Sequence, residues 1–104
     1  MSNTRLQKLV EMLEKHPNDS FLNYALAMEY LGMNDAKMAE STFRRVLELD
    51  EENIAAKYQL AQLIQEEHTA EAILLLESGM KAAKQKGDMK TANEFRSLID
   101  EIVF

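Results

Sequence analysis

The sequence contains no cysteine, and only one proline and three glycines are spread over its 104 residues. Without cysteine there is no disulfide, no thiolate nucleophile and no cysteine-bound zinc, so redox chemistry and the commonest structural metal sites drop out together. The same absence suits the cytoplasm, which is the expected location. So few glycines and prolines cannot punctuate the strands and hairpins of an all-β fold. Long apolar runs are also missing. No window approaches the ~20 apolar residues of a membrane span, and Gln7, Lys8, Glu11 and Glu14 interrupt the first segment before it could form the apolar core of a signal peptide.

Positive charge is scarce as well. Eighteen acidic residues face twelve Lys and Arg, for a formal net charge of −6. That balance makes a phosphate backbone or an anionic membrane a poor partner unless the bases cluster. The densest basic stretch, Lys81, Lys84, Lys86 and Lys90, is interrupted by Asp88 and reads as a solvated helix end. Neither nucleic acid nor membrane is therefore expected as a partner.

Catalysis finds little to work with. His16 sits beside the proline at position 17 and His68 lies in a predicted turn, and neither has a second histidine at ligand-like spacing. There is no glycine-rich phosphate loop, and Ser20, Ser41, Ser78 and Ser97 have no histidine close by in sequence. Paired carboxylates such as Glu51-Glu52 and Glu66-Glu67 belong to wet helix faces. The expectation is a protein that is not an enzyme, with no catalytic residue, no cofactor and no metal site.

What the chain does have is helix formers: Ala, Leu, Met, Glu, Lys and Gln. Apolar residues recur at spacings of three and four through about six segments, each preceded by a short polar side chain able to cap backbone N–H groups. Leu6, Leu9, Val10 and Leu13 mark a first helix that must stop near His16, because Pro17 disfavours helical geometry in the residue before it. Asn18 and Asp19 offer caps for a second helix, Asp35 for a third and Asn53 for a fourth. Thr69 is the expected cap of the fifth, and Gly87-Asp88 the stop and start before a sixth that carries Phe95, Leu98, Ile99 and Ile102.

Self-comparison shows a period of about 34 residues, the mark of stacked helical repeats. Leu26-Ala27 recurs as Leu60-Ala61, Leu13 as Leu47, and Asn18-Asp19 as Glu52-Asn53. Dropping one residue from the turn after His68 pairs Ala39 with Ala72, Phe43 with Leu76 and Val46 with Gly79. Ala27, Ala39, Ala61, Ala72 and Gly79 fall where antiparallel helices should approach most closely, so a larger side chain there would push a pair apart. Gly79 is the sharpest case, because glycine inside a helix costs about 1 kcal/mol relative to alanine.

The stretch Asn23-x-x-Leu26-Ala27-x-x-Tyr30, then Ala39-x-x-x-Phe43, then Leu47-Glu-Leu-Asp50, resembles one complete tetratricopeptide repeat. Residues 57 to about 86 resemble a second repeat with an extended closing helix. The usual aromatic at the start of each repeat is replaced by Asn23 and Lys57, and the usual proline after the first full repeat by Glu51. The resemblance implies an all-α fold, a right-handed α-solenoid of antiparallel helix hairpins. One domain over 1–104 is expected: an N-terminal helix over 4–16 like the end of a repeat, repeat 1 over 20–53, repeat 2 over 54–87 and a C-terminal capping helix over 88–104.

The resemblance further implies a protein–protein interaction module that binds an unidentified protein or peptide in a concave helical groove. Phe21, Tyr24, Met28 and Leu31 would supply an aromatic, Met-containing wall, and Tyr58, Gln62 and Gln65 an amide-rich one. Phe21, Tyr24 and Met28 could equally be core. A carboxylate-gripping clamp of Lys, Asn and Arg, known in some tetratricopeptide domains, has no counterpart, since Tyr24, Met28, Ala55 and Gln59 occupy that surface. The alternative is a self-associating unit, a homodimer formed through the apolar C-terminal helix.

Overall fold

A computed structural model describes residues 3–104; residues 1 and 2, the start of the expected domain, lie outside the described residues. Six α-helices account for nearly all of it: α1 (Thr4–Lys15), α2 (Ser20–Gly32), α3 (Ala36–Leu49), α4 (Ile54–Ile64), α5 (Thr69–Gln85) and α6 (Met89–Val103). No strand occurs among the described residues. The helices gather into two compact units, the first ending at Glu51 and the second running Glu52–Phe104.

Caps set most of the helix starts. The side chains of Asn3, Asp19, Asp35, Asn53 and Asp88 each accept a hydrogen bond from a backbone N–H in the first turn of the helix that follows. Such a bond satisfies one of the donors a helix leaves orphaned and contributes about 1 kcal/mol. The fifth helix departs from the expected scheme. His68 stands at its N-cap without a side-chain cap bond, and Thr69 is already helical, its hydroxyl donating to the Gln65 carbonyl at 2.7 Å. A threonine that bonds backwards to a carbonyl does not serve as a forward cap.

Two helix ends share one turn geometry. After α2, Asn34 takes φ of 60° and the Asp35 N–H donates to the Tyr30 carbonyl at 2.9 Å; after α5, Gly87 takes φ of 76° and the Asp88 N–H donates to the Ala83 carbonyl at 2.9 Å. The left-handed residue reverses the chain so that orphan carbonyls are satisfied, which only glycine or asparagine does cheaply.

In the first unit α1 packs on α2 and α2 on α3. Antiparallel pairing is visible in the tethers. Asn3, before α1, donates to Glu29 near the end of α2 at 2.9 Å, and Arg45, late in α3, donates to Asn18, ahead of α2, at 2.8 Å. Ala27, Ala39, Phe43 and Val46 are wholly buried. Leu9 is buried and Leu6 and Leu13 half-buried, but Val10, read from sequence as part of the same face, is exposed. A stripe at i, i+3 and i+7 already covers the contact with α2, and i+4 falls on its outer margin.

The second unit pairs α4 with α5 and α5 with α6. Ala56, Ala61, Ala72, Leu76 and Ala83 are wholly buried, with Leu60, Ile64 and Phe95 nearly so. The small residues explain themselves here. A Cβ placed on Gly79 of α5 would fall within 2.9 Å of the Phe95 ring of α6 at several atoms, so the glycine is the space the ring occupies.

Asn23 and Lys57, the two positions that depart from the repeat pattern, are both buried, at 7% and 6% exposure. The Asn23 amide donates to the carbonyls of Pro17 and Asp19 at 3.2 and 2.9 Å, stapling the turn between α1 and α2. Lys57 runs its stem through the α4–α5 contact and donates to the Ser78 hydroxyl at 2.7 Å. Polar groups tolerate such burial because each finds a partner.

Candidate functional site

On α2, residues Phe21, Tyr24, Met28 and Leu31 recur at helical spacing, yet they fare differently. Phe21 is 76% exposed and Met28 37%. Tyr24 and Leu31 are half-buried. The Tyr24 ring packs edge to face on Phe43 of α3, centroids 5.7 Å apart, so Tyr24 serves the helix pair as well as the surface. Burial pushes its phenol above the ordinary value. The first unit therefore presents an apolar face whose outermost members are Phe21 and Met28.

On α4, Tyr58 is half-buried and its ring meets Phe95 of α6 edge to face, centroids 5.0 Å apart. Gln62 is exposed and Gln65 half-buried at the helix end, where the Gln65 amide donates to the Gln62 carbonyl at 3.3 Å. Of these three, only Tyr58 lines a recess of about 430 Å³ between α4 and α6. Ile54, Ala55 and Gln59 complete the α4 wall. Thr91, Glu94 and Phe95 form the α6 wall, with Lys86 and Asp88 from the preceding turn.

Asp88 is occupied within its own helix end: its carboxylate accepts from the Thr91 backbone N–H at 3.1 Å and from the Thr91 hydroxyl at 2.7 Å. Those two bonds, the hydroxyl's first, hold its carboxyl below the ordinary range, with a smaller contribution from Lys90.

Sequence analysis named Tyr58 as a site residue and met Ala55 and Gln59 only where a carboxylate clamp would lie, and it missed the α6 wall. Phe95 reads there as a core residue, and it is one, at 2% exposure; that a core ring also borders a recess follows only from how α6 lies against α4. The other sequence candidates take simple positions: His16 and His68 are exposed residues at helix ends. Among the described residues no group of three or more His, Cys, Asp or Glu is placed to hold a metal ion, and no helix is long and apolar enough to cross a membrane.

No family model matches the sequence, and no curated protein matches it. Solved structures do. The crystal structure of a tetratricopeptide repeat domain protein from Salinibacter ruber is similar with a TM-score of 0.73 and 28% identity, over 81% of this chain and 94% of that one. A solution structure of a tetratricopeptide repeat domain protein from the same organism gives 0.72 and 29% identity, over 83% and 88%. A Bordetella parapertussis protein shares the fold at a TM-score of 0.78 and 23% identity, over 99% of this chain and 90% of that one. The six helices, paired as hairpins, thus make a small all-α protein with a tetratricopeptide-repeat-like fold.

Proposed function

We propose that the chain is a non-enzymatic protein–protein interaction module of the cytoplasm, holding a protein or peptide segment on its exposed helix faces, that of α2 foremost. The observation that carries this is the Phe21–Met28 face. A phenylalanine 76% exposed, on the same helix side as an exposed methionine, offers apolar area for a partner to cover. Aromatic and Met side chains adapt readily to apolar partner surfaces, and helical-repeat domains typically bind through extended surfaces of this kind.

The test is a paired substitution. Phe21→Ser with Met28→Ser removes the face without touching the buried set, so the melt should stay within a few degrees while capture of a cross-linked partner from cells falls to background. Undiminished capture by the double variant contradicts the reading. The self-association alternative draws on Val103 and Phe104, half and fully exposed at the end of α6. Light scattering on the full chain and on one ending at Asp100 separates the two: a concentration-dependent dimer lost on shortening supports self-association.

A further inference from the structure

The recess between α4 and α6 has a shape and a charge that together select a class of ligand. Its volume, about 430 Å³, lies in the ~300–1,000 Å³ range of clefts that hold small ligands or side chains. Ile54, Ala55, Tyr58 and Phe95 give it apolar walls, and Gln59 and Thr91 give it polar atoms. Its charged lining is two acids, Asp88 and Glu94, against one base, Lys86. The N-terminus of α6 would ordinarily attract an anion, but Asp88 already accepts from the Thr91 N–H and hydroxyl. An anionic ligand group at that helix start would meet the Asp88 carboxylate.

Resting on the protein-binding reading above, we infer that this recess takes a bulky apolar side chain from a positively charged peptide segment. The molecule's net charge of −6 draws such a segment in and repels an acidic one. It also disfavours the most obvious apolar anchor at hand, Phe104 of a second copy. That side chain is fully exposed, but Asp100 and Glu101 precede it, and insertion would bring them toward Asp88 and Glu94 between two chains of like net charge.

Three short fluorescent peptides provide the test: one with a central Leu-Phe pair flanked by lysines, one with the same pair flanked by glutamates, and one with the lysines but alanines in place of the pair. By fluorescence polarisation the first should bind saturably, at least about tenfold more tightly than either of the others, and weaken as salt rises. Ala55→Phe, an exposed position on the recess wall, should fill the space and abolish binding with an unchanged melt. Glu94→Lys should cut affinity for the basic peptide while raising that of the acidic one.

Equal binding of the acidic peptide, equal binding of the alanine peptide, or indifference to Ala55→Phe each overturns the inference. If no peptide binds while Phe21→Ser/Met28→Ser still abolishes partner capture, the recess assignment falls and the interaction module stands. If that capture fails in wild type as well, both fall. A stable dimer that blocks the recess and dissolves on removal of residues beyond Asp100 would assign it to the second copy instead.

Discussion

Gly79→Ala is the substitution for which helix propensity and packing predict opposite signs. Alanine is favoured over glycine inside a helix by about 1 kcal/mol, so on local grounds the change at the middle of α5 should stabilise. The added Cβ, however, would lie 2.8 Å from Phe95 Cδ2 and 2.9 Å from its Cζ, and closer still to Cε2, where carbon atoms prefer about 3.5–4.0 Å. The ring has no easy retreat. Phe95 is 2% exposed, and Tyr58 stands against it with centroids 5.0 Å apart. Overpacking of this kind costs about 1–3 kcal/mol, and three short contacts on a confined ring belong at the upper end. The net is a destabilisation of about 1–2 kcal/mol after the propensity gain is subtracted, a fall in Tm of roughly 5–10 °C.

The decisive measurement is a double-mutant cycle by urea denaturation with Phe95→Leu, which removes Cε2 and Cζ and leaves a side chain that can rotate away. In that background Gly79→Ala should become neutral or stabilising, giving a coupling of about 2 kcal/mol. A wild-type chain made more stable by Gly79→Ala, or a coupling within error of zero, refutes the assigned contact.

Ala39→Leu and Ala72→Leu insert three carbons each at wholly buried positions and should lower stability by about 1–3 kcal/mol or more; thermal melts unchanged for both would contradict the close approach within their helix pairs. Asp88→Asn tests the cap at α6. The native carboxyl titrates below its unfolded value because Thr91 stabilises the charged form, so its contribution is present above the unfolded pKa of about 3.9 and is lost as pH falls through the native value. Asparagine also caps well but does not titrate. The wild type's advantage over Asp88→Asn in urea midpoint at pH 7 should therefore shrink by pH 3, and a constant gap rejects the hydrogen-bond explanation.

Helix number and most helix starts were legible in the sequence because each depends on neighbours a few residues away. Asp19, Asp35, Asn53 and Asp88 cap helices whose N–H groups lie within the next turn, and glycine in a helix announces a steric demand before its neighbour is known. Even at this range one local signal misled: Thr69 has the chemistry of a cap, but its hydroxyl satisfies Gln65 behind it.

Tertiary structure decided the rest. Asn23 and Lys57 look like lost aromatics in a repeat, and their burial makes sense only with the turn carbonyls of Pro17 and Asp19 and the hydroxyl of Ser78, 21 residues beyond Lys57. The recess likewise belongs to no segment: its walls come from α4 and α6, with α5 lying between them in sequence. Periodicity identifies which side of a helix is apolar, because that is a property of one helix. Whether the apolar side meets a ring, a tether or an open cleft depends on surfaces that only folding brings together.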